Sequence, residues 1–315
     1  MNVLFLLFIH GFLFSAEFDC AVIGTSPVAL FEALYKQASG QRVLILEAAS
    51  ECGGAWKSIN ICGIEHVDMG CHEISSSPNL NQFLETYAGV CVLPSKNNSY
   101  YFSKGCFELI DHLLKRVEKA GIPLITNCRV ESVTLDPGTN TAFLNTTNGV
   151  FTASKIVVTP GSSLKVNQPN PRTLPNPNKF YHLYLLIQDP TPPQFSYHGG
   201  VSPGVSRMMN LTSYVGLENS GRQLIVFQTH SDRRDNDHQP ILDALKQKKL
   251  IDPGAYILKS ETYIYEQGPY FQMGQVPAGQ QTFFELINTS HFNIIGEYAK
   301  KWKMLLAPYE EILIN

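Results

Sequence analysis

The sequence predicts an α/β chain in two parts: a parallel-sheet nucleotide-binding domain and a mixed α+β domain built on an antiparallel sheet. Three observations lead there. Residues 19–47 read as strand, tight glycine turn, helix and strand, a βαβ unit whose two strands lie parallel. An acidic residue, Glu47, ends the second strand about 20 residues beyond the glycine turn, where dinucleotide-binding folds hold a ribose. After a stretch rich in Pro and Asn (166–179), the texture changes to long apolar strands.

The elements follow in order. Residues 1–16 are apolar apart from Asn2, His10, Gly11 and Ser15. The stretch is short for a membrane span and fits the apolar region of a signal peptide, although no Lys or Arg precedes it. The expectation is a secreted or secretory-lumen protein (periplasmic if bacterial), with no membrane span once the signal is removed. Sequons at Asn97, Asn145, Asn210 and Asn288 are compatible with export. Asp19–Ile23 reads as a buried strand, Val28–Gln37 as a helix and Arg42–Glu47 as a strand covered on both faces. Phe107–Ala120 has a clear amphipathic helical pattern, and Gly121 follows as its natural stop. PLIT and RVESVTL read as strands, and GVFTASKIVVTPG (149–161) as a hairpin ending in a buried strand. Beyond the Pro/Asn stretch, FYHLYLLIQ and RQLIVFQTH read as strands and PILDALKQKKLI as a helix. A short strand near residue 292 (FNIIG) and a terminal helix return the chain to its first part.

Composition narrows the function. The 315 residues are 44% hydrophobic and 16% charged, so the chain has ample material for a core. A net charge of −3 gives no basic footprint, which argues against a nucleic-acid partner; the expected partner is a small-molecule substrate. The oligomeric state is not readable. Seven cysteines, all at or before residue 128, show neither CxxC nor zinc spacing, and an odd number leaves at least one unpaired. The run HSDRRDNDH (230–238) reads as a solvated loop, because no helix or strand fixes its side chains; no metal site is expected.

The glycine turn VIGTSPVA departs from GxGxxG. Gly24 serves the tight turn, Ser26 stands in the second glycine position and Ala29 in the third. The Ser26 hydroxyl is free to meet a phosphate at the helix start, and Pro27 lacks an N–H that would be unpaired anyway.

Gly53-Gly54 follow Glu47 after AASEC. With this spacing the chain resembles the flavin amine oxidase class, which includes protoporphyrinogen oxidase-like enzymes and is related to UDP-galactopyranose mutase. Asp68-Met69-Gly70-Cys71-His72 resembles that class's D-x-G-x-H stretch beside the flavin ring. Val130 sits in a strand resembling the one that meets the adenine, and KIVVTPG, ending at Gly161, resembles the strand that returns to the cofactor. NIIGE, with Gly296 and Glu297, resembles the acidic C-terminal turn. The class commonly has Arg after the glycine pair, where this chain has Ala55 and then Trp56.

The resemblance implies a Rossmann-like FAD-binding domain (17–165 and 286–315) and a substrate domain (166–285). It implies FAD held by Gly24, Thr25, Ser26, Glu47, Gly53, Gly54, Ala55, Trp56, Val130, Gly161, Gly296 and Glu297, with His72 and Trp56 at the flavin face. The reaction implied is hydride transfer from a substrate C–H, at an amine or a C–C unit, to flavin N5. Two alternatives stay open. One is a degenerate flavin-fold pseudoenzyme or binding protein. The other is a mutase-like, non-redox flavoprotein acting on a nucleotide sugar, with Arg172 and Arg207 as the available diphosphate ligands.

Overall fold

The computed structural model describes residues 17–70, 74–75, 78–94, 99–159, 164–166, 178–193, 197–200, 204–229, 238–267, 276 and 278–287. Strand β1 (Phe18–Ile23) leads through a tight turn into α1 (Pro27–Ala38) and back through β2 (Val43–Leu46). β1 and β2 are parallel, in register from Cys20↔Val43 to Ile23↔Leu46. Next come the antiparallel hairpin β3 (Ser58–Ile61) and β4 (Ile64–Asp68), strand β5 (Ile74–Ser75) and helix α2 (Pro78–Phe83). Strands β6 (Val92–Pro94) and β7 (Ser99–Phe102) join β5 in a small antiparallel sheet. Helix α3 (Gly105–Lys119) ends at Gly121, whose φ is +67°.

Strand β8 (Leu124–Ile125) lies parallel to β2. Strands β9 (Val130–Asp136), β10 (Thr141–Thr146) and β11 (Gly149–Val158) form an antiparallel meander, and β12 (Lys165–Val166) pairs with β9. The main sheet runs β12-β9-β10-β11-β1-β2-β8. Its cores alternate by residue. Cys20, Val22, Val43 and Ile45 pack towards α1 and α3, while Ala21, Ile23, Leu44 and Leu46 pack on the other face with Val133, Leu135 and Leu144. Burial on both faces explains why these strands read as continuous apolar runs. Each buried Val, Leu or Ile side chain contributes about 1.5–3 kcal/mol through removal from water.

The second sheet contains β13 (Asn178–Gln188), β14 (Tyr197–Gly199), β15 (Val205–Asn210), β16 (Arg222–Thr229) and β17 (Tyr256–Gln267), all antiparallel, in the order β14-β15-β16-β13-β17. Helix α4 (Gln239–Gln247) covers one face through Ile241, Leu242 and Leu245. On the other face Tyr184, Leu186 and Val226 pack on Ile61 and Val67 of the β3–β4 hairpin.

Two sequence expectations change. Gly149–Val158 is one ten-residue strand rather than a hairpin. The turn lies just before it, since Thr146 pairs with Gly149 across a two-residue loop, and Gly149 takes φ +121° there. The chain also regains the main sheet earlier than expected, at β18 (Phe284–Leu286), which pairs in parallel with the end of β11. The expected strand near 292 and the terminal helix lie outside the described residues. Among the described residues, no helix is long and apolar enough to cross a membrane.

Candidate nucleotide-binding site

The site is built where β1 and β2 end. Gly24 leaves β1 with φ +98°, and its N–H donates to Leu46 O at 2.8 Å. A Cβ at this position would stand 3.0 Å from Thr159 Oγ1, so glycine answers both the turn and the crowding. Ser26 is the N-cap of α1, its Oγ accepting the Ala29 N–H at 3.4 Å, and Pro27 occupies the first turn. The start of α1 therefore offers a positive dipole end and a hydroxyl in place of the second motif glycine, while Pro27 has no N–H to give and the Ala29 N–H is held by Ser26.

Glu47 stands beside this turn and is only 8% exposed. Its Oε2 accepts the Thr25 hydroxyl at 2.5 Å and its Oε1 accepts the Ala49 N–H at 2.9 Å. The Gly53 N–H donates to Thr25 Oγ1 at 3.0 Å. One buried network thus joins the glycine turn, the acidic end of β2 and the Gly53-Gly54 turn. Gly53 (φ +111°) and Gly54 (φ +57°) open a single 3-10 turn, Gly54–Trp56.

A cavity of about 130 Å³ opens at this end of the sheet, lined among others by Gly24, Glu47, Cys128, Arg129, Val130 and Leu164. Its shape follows from β8 and the loop after it, because the Glu47 N–H donates to Ile125 O at 2.9 Å and the Cys128 N–H donates to Glu47 O at 2.8 Å. Three residues picked from the sequence, Gly24, Glu47 and Val130, meet here. Arg129 was not among the candidates, and only its place beside Val130 could have signalled it.

The other candidates are distributed as follows. Ala55 and Trp56 continue the 3-10 turn, and Trp56 packs half-buried against the core cluster of α1 and α3. His72, Gly161, Gly296 and Glu297 lie outside the described residues. So does Arg172, while Arg207 on β15 is bonded to Gln228. The D-x-G stretch is held by the second sheet: the Gly70 N–H donates to Tyr184 Oη, and Tyr184 Oη donates to Asp68 O, both at 2.9 Å. Among the described residues no group of His, Cys, Asp and Glu is arranged to hold a metal.

A second cavity, of about 630 Å³, lies between the β3–β4 hairpin, α3 and β17. Its walls include Cys52, Lys57, His66, Phe107, Asp111 and Tyr263. His66 stacks on Phe107 with ring centroids 3.9 Å apart. Lys57 pairs with Glu51 at 3.1 Å and lies 5.8 Å from the Tyr263 ring centroid. Burial pushes the Cys52 thiol up.

No protein-family model matches the sequence, and no curated sequence matches it. Solved structures do match. A putative protoporphyrinogen oxidase from Exiguobacterium sp. 255-15 superposes with a TM-score of 0.57 at 8% identity, covering 94% of this chain and 99% of that one. A reduced UDP-galactopyranose mutase gives 0.58 at 11% identity, covering 94% and 96%. A Rab GDI from Plasmodium falciparum gives 0.58 at 11% identity, covering 93% and 99%. The mixed α/β fold implied by the sequence motifs is therefore the one found, shared along nearly the whole length with proteins named as an oxidase, a mutase and a Rab GDI.

Proposed function

We propose that the chain is an FAD-dependent oxidoreductase of the amine oxidase-like kind. One observation carries the reading: Glu47 lines a cavity shared with Gly24 and Val130, and Gly24 stands two residues before the N-cap of α1. A carboxylate there is an acceptor for ribose hydroxyls, and the helix start is a donor for pyrophosphate oxygens. The donor set thus fits the adenosine-diphosphate half of FAD. Gly24 keeps the backbone open, the Ser26 hydroxyl hydrogen and the positive end of α1 meet the pyrophosphate, Glu47 meets the ribose and Val130 borders the adenine. When bound, FAD supplies a two-electron acceptor. The protein's own contribution is to bind and orient the cofactor and substrate and to keep water from the ring.

A second reading is a binding protein on the same fold. Ala55 in place of the Arg common in the class favours it, as does the likeness to a Rab GDI, because a fold alone does not fix an activity.

The test is the visible spectrum of the purified full chain, before and after added FAD, followed by anaerobic mixing with a panel of amines. The oxidoreductase reading expects flavin absorption, bleaching by at least one amine and recovery in air. A protein that holds FAD but is bleached by no substrate, although dithionite reduces it, supports the binding reading instead. A colourless protein that takes up no FAD overturns the proposal.

A further inference from the structure

We infer that Thr25 is a positioning residue of the nucleotide site, acting through Glu47 and the Gly53-Gly54 turn without touching the ligand. The family resemblance implies Thr25 as a cofactor contact. The hydroxyl is already in use. A threonine hydroxyl has one hydrogen and two lone pairs. The hydrogen goes to Glu47 Oε2 at 2.5 Å. One lone pair receives the Gly53 N–H at 3.0 Å. Thr25 is 1% exposed, so no ligand reaches it from solvent.

Its position gives that hydroxyl leverage. Thr25 follows the glycine that turns the chain out of β1 and precedes the N-cap of α1. Through one atom it connects the acidic end of β2 with the turn that carries the glycine pair. Glu47 is then fixed at both oxygens, by Thr25 and by the Ala49 N–H. Each carboxylate oxygen keeps acceptor capacity for a ligand hydroxyl. A carboxylate already oriented loses less freedom when a ligand binds, so pre-orientation appears as affinity. Valine has nearly threonine's shape without the hydroxyl, and serine keeps the hydroxyl without the methyl. The two substitutions therefore separate hydrogen bonding from packing.

This inference rests on the site being an adenosine-nucleotide site, so its test has one readout that needs no nucleotide. Full-length wild type, Thr25→Val and Thr25→Ser are compared by calorimetric titration with FAD and with ADP. They are also compared by hydrogen exchange in a peptide spanning residues 48–57, with a peptide from α3 as internal reference. Thr25→Val is expected to weaken both ligands about tenfold and to speed exchange at Gly53 by about tenfold, the α3 peptide being unchanged. Thr25→Ser is expected to stay within about threefold of wild type in both readouts. Should Thr25→Val be insoluble, Thr25→Ala carries the same expectations. Thr25→Ser behaving as poorly as Thr25→Val, or Thr25→Val matching wild type in exchange, overturns the inference. If wild type binds neither FAD nor ADP, the nucleotide reading fails, and the positioning role fails with it even where exchange at Gly53 responds.

Discussion

The Asp68 carboxylate accepts the Cys106 N–H at 2.7 Å and the Ser58 hydroxyl at 3.1 Å, while itself only 4% exposed. Helix α3 has no side-chain cap of its own at Lys104, so Asp68, 38 positions before Cys106, does that work. Asp68→Ala is expected to cost about 2–3 kcal/mol in urea denaturation, from the lost cap and a buried amide left without an acceptor. The thiols make a second residue-scale prediction. Burial pushes Cys20 up to about 12 and Cys62 up to about 11, from an ordinary 9.0. The folded values lie above the unfolded one, so the folded chain holds these protons where the unfolded chain has released them. The associated stability is complete below about pH 9 and is lost as pH rises towards 11 and 12, at up to about 1.4 kcal/mol per pH unit for each thiol. Denaturation midpoints measured between pH 8 and 10.5 should fall, and Cys20→Ala should flatten the slope. Single-residue roles were the least legible part of the sequence. Asp68 was visible as a motif residue, but its service to α3 depends on a contact made only after folding. Asn210 was visible as a sequon, yet its amide is buried and bonded to Gln223 at 2.6 Å, so the folded chain does not present it.

Elements were read best where local signals agreed. The start of α1 has Ser26 as cap and Pro27 in the first turn, and its apolar periodicity carries it to Ala38. The end of α3 is marked by Gly121. The β3–β4 hairpin and the three-stranded sheet β5-β7-β6 were not read at all. Their strands are two to five residues long and only partly apolar, so neither length nor alternation rises above the surrounding loops. They are nevertheless what carries Asp68 and Gly70 to Tyr184. The turn between β1 and α1 has its own test. Gly24→Ala imposes an unfavourable φ and a contact with Thr159, and is expected to cost about 2 kcal/mol. Adding Thr159→Ala should restore part of this and no more, because the backbone angle is unchanged; urea midpoints of the three variants check it.

At the scale of the molecule, the hairpin β3–β4 couples the two sheets. Its Ile61 and Val67 pack beneath Tyr184 and Val226, and the Cys62 N–H donates to Glu261 on β17 at 3.0 Å. A long-range arrangement of this kind has no local signature, whereas the βαβ unit did. Much of the candidate site was legible for the same reason: Gly24, Ser26, Glu47 and the Gly53-Gly54 pair fall within residues 24–54, where spacing along the chain becomes proximity through one right-handed crossover, whereas Arg129, brought in from the loop before β9, carried no such signal. The central claim is that this corner of the main sheet binds the adenosine half of FAD through Glu47. It is tested most directly by titrating FAD into wild-type protein and Glu47→Ala in a calorimeter, with ADP and FMN as competitors. The account predicts saturable binding by wild type, competition by ADP but not by FMN, and affinity about tenfold or more weaker in Glu47→Ala. Absence of saturable FAD binding, or equal affinity in the two proteins, would contradict it.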